Sequence, residues 1–231
     1  MEGKHCKPAF ERADPERQRI VIETGIDQFA QHGFENANIN VIAKKAGISI
    51  GLMYKYFETK EDLFITCMDA TIEALKETLD AVVNSNDKIL ERGEKLIRHI
   101  QQTSGKDSQY VKLYNEVTKL SEEKNVEYFA KKIESISHDA YSSFLKKAQG
   151  EGYIRSDCNT EVFAYFFDSL LMNLQFAYTC DYYRERLKIY CGDNIFENDE
   201  VIVQELLKFL ESAFTFSHND IKALESTIGH S

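Results

Sequence analysis

Tryptophan is absent from the 231 residues, proline occurs twice and glycine eleven times. So few chain breakers, beside 43% hydrophobic residues, exclude a turn-rich β fold and favour helices with short connections. The five cysteines (Cys6, Cys67, Cys158, Cys180, Cys191) are widely spaced and form no CxxC pair. No short His/Cys cluster has zinc spacing, so no metal site is expected. An apolar leader is also missing, since the start, MEGKHCKPAF, has no hydrophobic core. The most apolar run, Val162–Ala177, contains Asp168, Asn173 and Gln175 and is too short to span a bilayer. These absences lead to the expectation of a soluble, cytoplasmic protein with no membrane partner.

Catalytic patterns are lacking too. There is no Gly-rich phosphate loop and no nucleophile placed beside a base, and six histidines are scattered along the chain. The spacing from Ser143 to Lys146 imitates one hydrolase motif, but the SDN and KTG elements that complete it are absent and a helix face explains it. Neither an enzyme nor a cofactor is expected.

What is present begins with charge. The formal total is −10, which by itself argues against a nucleic-acid partner. Residues 1–60 hold nine Lys/Arg against eight Asp/Glu, +1, while the remaining 171 hold nineteen against thirty, −11. That asymmetry fits a near-neutral reading head on an acidic body.

The most informative stretch is Ile39 to Phe57, INVIAKKAGISIGLMYKYF. Asn38 is a suitable cap for a first helix with apolar Ile39, Ile42, Ala43 and Ala46, and Gly47 stops it. Ser49 caps a second helix from Ile50. Two helices with a tight Gly-containing turn are a helix-turn-helix pattern, whose second helix suits a DNA major groove. An αα-hairpin that only packs has the same outline. Lys44, Lys45, Lys55 and Lys60 around the second helix favour DNA. Tyr54 and Tyr56, two apart, point to different faces, and both rings suit phosphate hydrogen bonds. Thr59 and Asp62 form a capping box for the next helix. Lys60 at its start opposes the helix dipole, a local cost that a nearby phosphate would justify.

Arg19 through Phe64 resembles the DNA-binding domain of the TetR family of bacterial one-component regulators. The matching elements are Ile22 and Phe29, Gly33–Phe34, the run Ile42–Ser49, Gly51, Tyr54–Phe57 and Lys60–Phe64, about a fifth of the chain. The resemblance implies an all-α fold: an N-terminal three-helix helix-turn-helix domain, then a helical-bundle ligand-binding and dimerisation domain, about nine helices. The expected divisions are a flexible arm over 1–14, the DNA-binding domain over 15–64 and the body over 65–231. The DNA-binding set is Asn38, Lys45, Ser49, Ile50, Gly51, Leu52, Tyr54, Lys55, Tyr56 and Lys60. Three positions depart from the family pattern, one of them Asn38, which stands where Thr or Ser is usual but retains the cap and can still donate to a phosphate. Ile50 stands where a polar or basic residue is usual, and Leu52 where Thr or Ser is. Apolar side chains there reach thymine methyls but form no bidentate bonds to bases.

In the body, Val162–Ala177 and Val201–Phe216 are hydrophobic on nearly every side. In the family the last two long helices pair with their twins, so Phe166, Leu170, Asn173, Leu174, Val203, Leu206, Leu207, Leu210 and Phe214 are the expected dimer interface. Cys180–Asn198 reads as a helix extension and loop, and the tail after Ser217 has little pattern. An aromatic-rich set is the candidate lining of an effector cavity: Tyr110, Tyr114, Phe129, Tyr141, Phe144, Phe163, Phe167, Met172, Gln175 and Tyr178. For any single one of these, core packing is the favoured account, and that some of them line a cavity is what the resemblance implies. The implied partners are palindromic double-stranded DNA, a second copy of the chain and a small, largely apolar effector. A helical dimer that has lost DNA binding is the alternative.

Overall fold

Both prolines begin helices. The computed structural model describes residues 5–83, 85, 87–103, 108–117 and 123–215. Pro8 opens α1 (Pro8–Glu11) and Pro15 opens α2 (Pro15–Asn36), where a missing N–H costs nothing and the fixed φ is already helical. There follow α3 (Ile39–Lys45), α4 (Ile50–Tyr56), α5 (Lys60–Val83), α6 (Ile89–Thr103), α7 (Ser108–Val117) and α8 (Glu123–Gly150). The series ends with α9 (Thr160–Thr179), α10 (Asp181–Cys191), a 3₁₀ turn at Ile195–Glu197 and α11 (Asp199–Thr215). The fold is all-α, with eleven α-helices among the described residues against nine expected. The two extra ones are α1, where a flexible arm was anticipated, and α10, a separate helix where an extension of the preceding helix and a loop were. The tail after Ser217 lies outside the described residues.

The chain divides into two compact units, Met1–Glu77 with Lys106–Ile133, and Thr78–Gly105 with Glu134–Ser231. The unit that holds the helix-turn-helix also takes in α7 and the start of α8. Its core is Val21, Phe29, Ile42, Met53, Phe57, Leu63 and Phe64, each at most 2% exposed. The Phe64 ring lies 5.1 Å from both Phe29 and Phe34. Gly25 has a packing reason, because a Cβ there would stand 2.6 Å from the Cys67 sulfur of α5. Burial raises the Cys67 thiol well above its ordinary range, so it acts as a small apolar side chain.

At Gly33 (φ 73°, ψ 167°) α2 breaks, and the chain resumes for one more turn. The Phe34 N–H released by the break donates to Glu116 Oε2 of α7 at 3.1 Å. A side chain on Gly33 would meet that same carboxylate oxygen at 2.8 Å.

In the second unit α6 packs against α9 and α11, and α10 against α9. Asn159 Oδ1 caps α9 by accepting from the N–H groups of Glu161 and Val162 at 3.0 and 3.3 Å. Arg98 joins α6 to α11 through Glu200, with Nη1 donating at 2.9 Å and Nη2 at 3.1 Å. Among the described residues no helix is long and apolar enough to cross a membrane.

Candidate nucleic-acid interface

Side-chain caps fix where α3 and α4 start. Asn38 Oδ1 accepts from the N–H of Asn40 at 2.9 Å, and Ser49 Oγ from the N–H of Leu52 at 3.2 Å. Between them Gly47 takes φ 69°, a conformation that suits glycine at a helix end. The Ile48 N–H then bonds back to the Ala43 carbonyl at 3.0 Å. The turn is set by these local bonds, as the sequence pattern requires.

Of the seven residues of α4, Met53 and Tyr56 point into the core. Ile50 (37% exposed), Gly51, Tyr54 (49% exposed) and Lys55 point outward, and this i, i+1, i+4, i+5 spacing is one face of a helix. Leu52 is half-buried at its edge, and Lys44 of α3 is also exposed. Nothing inside the chain crowds Gly51, so no internal contact accounts for its lack of a side chain.

Two expected DNA contacts have other employment. Tyr56 is only 4% exposed, its ring 5.3 Å from Phe10 and 6.4 Å from Phe57. The two-residue spacing correctly put Tyr54 and Tyr56 on different faces; Tyr54 is the outward one. Lys60 Nζ donates to the carbonyls of Glu35 and Ala37 at 2.9 and 3.4 Å and sits 4.8 Å over the Phe34 ring. It caps the C-terminal end of α2, which supplies the compensation for its adverse place at the start of α5. The capping box beside it is formed: Asp62 Oδ2 accepts from the Thr59 N–H, and Thr59 Oγ1 from the Asp62 N–H, each at 3.0 Å. Lys45 is exposed and 3.5 Å from Asp27 Oδ2.

Sequence reasoning missed the role of the first residues. Phe10 is 5% exposed and lies 4.8 Å from Phe57 as well as against Tyr56. Lys7 N–H donates to the Tyr56 carbonyl at 2.8 Å, and Lys7 Nζ to the Tyr54 carbonyl at 3.2 Å. The available signal was a proline, Pro8, with an aromatic, Phe10, two residues on in an otherwise polar segment.

The candidate ligand residues divide between the two units. Tyr114 and Phe129 belong to the first, where Phe129 is core beside Phe64 at 6.2 Å. The Tyr110 side chain lies outside the described residues. In the second unit Tyr141, Phe144 and Phe167 form one cluster, with ring centroids 5.1 to 6.1 Å apart. Phe163 turns instead to Phe214 at 6.4 Å, and Met172 and Gln175 are half-buried. Tyr178 is a brace: its hydroxyl donates to Asp199 Oδ1 at 2.6 Å and accepts from Gln101 Nε2 at 3.1 Å.

Of the expected interface residues, Leu174, Val203, Leu210 and Phe214 are at most 8% exposed within one protomer. They are corrected to that protomer's own core. Phe166 (58% exposed) and Asn173 face out, while Leu170, Leu206 and Leu207 are half-buried. Tyr165, Val162, Val201 and Phe209, not singled out from sequence, are the other large apolar side chains exposed on α9 and α11.

Residues 21–67 match the model of the bacterial regulatory proteins of the tetR family. That segment of the chain is similar to the family's DNA-binding region. The chain is 48% identical over 48 residues to the probable acrEF/envCD operon repressor of Escherichia coli K12, 21% of each chain. It is 35% identical over 46 residues to the fatty acid metabolism regulator protein of Bacillus subtilis, 20% of this chain and 24% of that one. These alignments span only about a fifth to a quarter of the curated relatives' length. The fold extends the likeness further. A putative TetR-family regulator from Rhodococcus superposes with a TM-score of 0.64 at 16% identity, covering 87% of this chain and all of that one. FadR of Bacillus subtilis, solved with stearoyl-CoA, superposes at 0.59 and 18% identity, covering 82% and 96%. Among the described residues no group of three His, Cys, Asp or Glu side chains is placed to hold a metal ion.

Proposed function

We propose that the protein is a ligand-responsive transcriptional regulator that binds a palindromic operator as a homodimer. The observation that carries the reading is the outward face of α4 (Ile50, Gly51, Tyr54 and Lys55) on a capped helix-turn-helix within the family's matched segment. Tyr54 and Lys55 bond phosphates, Gly51 lets the backbone approach closely, and Ile50 and Leu52 meet base edges through methyl contacts. Asn38, Ser49 and Lys45 contribute from the turn and the end of α3.

A pair of protomers joined through α9 and α11 presents two such helices to successive major grooves, about 34–36 Å apart. The exposed apolar residues Val162, Tyr165, Phe166, Val201 and Phe209 support that pairing. A small effector among the body's aromatic side chains favours one arrangement of α5 over another and releases DNA, a coupling that is reciprocal. Repression relieved by ligand is the form proposed.

The test is a gel shift of the full chain on the DNA upstream of its own gene, over a salt series. Binding that is competed poorly by unrelated DNA and weakens with salt, at the shallow slope a few phosphate contacts give, supports the reading. The absence of any shift at low salt removes it. The apolar Ile50, the engagement of Lys60 elsewhere and the net charge of −10 would then favour a helical dimer without DNA binding.

A further inference from the structure

Helix α4 has only seven residues, too few to hold its own shape, so whatever grips its ends sets its pose. Ser49 fixes its start. At the other end the last carbonyls have no partner further along the helix. The Phe57 N–H bonds one of them, that of Met53, at 2.9 Å. Lys7 answers two more: its N–H donates to the Tyr56 carbonyl at 2.8 Å and its Nζ to the Tyr54 carbonyl at 3.2 Å. A positive charge at that end also suits the helix dipole. Tyr54 and Lys55, both exposed, belong to the same turn.

Lys7 is itself held in place. Two residues before it, His5 has Nδ1 3.5 Å from Asp62 Oδ1 and its ring edge-on to Tyr128 of α8, with centroids 5.9 Å apart at 70°. Asp62 is fixed in turn, since its Oδ2 accepts from the Thr59 N–H and hydroxyl. Tyr128 is half-buried and pinned from two sides. Its hydroxyl donates to Asp69 Oδ1 at 3.4 Å and accepts from Lys132 Nζ at 3.2 Å. The Lys132 ammonium, paired with Asp69, also lies 5.4 Å from the centre of the Tyr128 ring. Beyond Lys7, Phe10 is wedged against Tyr56 and Phe57. The Gln18 amide of α2 ties down the carbonyls of Phe10, Glu11 and Ala13 at 2.9, 3.1 and 3.0 Å. Residues 5–13 therefore form a strap fastened at α8, α5 and α2, with Lys7 as its grip on α4. All of these residues belong to the first unit.

We infer that Tyr128 and His5 are positioning residues for the DNA-facing end of α4, acting through Lys7 and touching no phosphate themselves. The Tyr128 ring sets where His5 stands. The chain from His5 to Lys7 spans at most about 7 Å, so a fixed His5 leaves Lys7 little freedom. Loss of the ring lets Lys7 withdraw, releases the Tyr54 and Tyr56 carbonyls and frays the turn that carries Tyr54 and Lys55. The inference rests on the proposed DNA-binding role of α4 and deepens it by naming what holds that helix to its task.

The test uses the full chain at pH 7.5 in two measurements. The first needs no DNA and follows amide hydrogen exchange residue by residue. His5→Ala and Tyr128→Ala are each expected to speed exchange at Tyr54–Phe57 by at least about fivefold and to leave Val21–Phe29 of α2 unchanged. Tyr128→Phe, which keeps the ring beside Lys132, is expected to match wild type within about twofold. The second measurement is operator affinity by gel shift. The two alanine variants are each expected to bind roughly three- to tenfold more weakly with the salt slope unchanged, and the double variant no more weakly than either. The inference is overturned if exchange at α4 does not move, or if α2 speeds up equally, which is a general loss of stability. It is also overturned if Tyr128→Phe behaves as Tyr128→Ala does, if the double variant shows the product of the two losses, or if His5→Ala lowers the salt slope and so places that ring at a phosphate. A wild-type chain that binds no operator would bring down the regulator reading, and the exchange measurement would still decide whether Tyr128 and His5 hold α4.

Discussion

The backbone N–H of Lys7 donates to the carbonyl of Tyr56 at 2.8 Å, and three residues on, Phe10 packs on the rings of Tyr56 and Phe57. The first helix thus closes the C-terminal end of α4 and backs it from behind. Phe10→Ala is expected to lower stability by about 2–3 kcal/mol. Urea denaturation at unchanged m-value checks this. An N-terminus that contributed nothing would leave the midpoint where it was.

The outward and inward residues of α4 separate cleanly in binding. Lys55→Ala is expected to weaken operator affinity by roughly tenfold or more, whereas Tyr56→Phe, at a position 4% exposed, leaves it within about twofold. Quantitative gel shifts at low salt decide. A large loss for Tyr56→Phe would return that hydroxyl to the interface.

Lys60 offers a test of cap against phosphate contact. Lys60→Met removes two bonds to the α2 terminus and a cation–π contact, for an expected cost of about 1–2 kcal/mol in stability. The slope of log affinity against log salt is expected to stay unchanged, while Lys55→Met lowers it by roughly 0.9. A shallower slope for Lys60→Met would place its ammonium at the DNA backbone after all.

Gly33 combines a left-handed φ of 73° with a Cβ position 2.8 Å from Glu116 Oε2. Gly33→Ala is expected to destabilise by about 1–2 kcal/mol or more, from backbone strain and displacement of the carboxylate that accepts from Phe34. A thermal melt reads this directly, and an unchanged Tm would mean the turn tolerates a side chain.

The Glu161 contacts predict an acid dependence. Lys146, Ser142 and His138 depress its carboxyl from 4.5 to about 2. Its contribution is therefore present above about 4.5 and is lost as pH falls through about 2. The stability gap between wild type and Glu161→Gln is expected to close over that window and to narrow in high salt, because the pair is exposed. A gap that widened on acidification would contradict the assignment.

The head was legible because its signals are local. Asn38, Ser49 and Thr59 each bond an N–H within three residues, and Gly47 needs only its own φ. Lys60 and Phe10 were misjudged or missed because their partners lie 25 residues and more away in sequence, at Glu35 and at Tyr56. In the body, α9 and α11 are apolar nearly all round, so periodicity gives no direction. Leu174, Val203, Leu210 and Phe214 turned inward while Tyr165 and Phe209 did not.

Lys7 and Lys60 both give their ammonium groups to carbonyls of the head, and Lys45 lies near Asp27. On the proposed reading, the mobile ions displaced from a duplex are then few, mainly those opposite Lys44 and Lys55. Such a head grips random sequence weakly and lets go quickly. Its occupancy of a site depends on shape and methyl complementarity more than on attraction at a distance, and it stays comparatively indifferent to the cell's ionic strength.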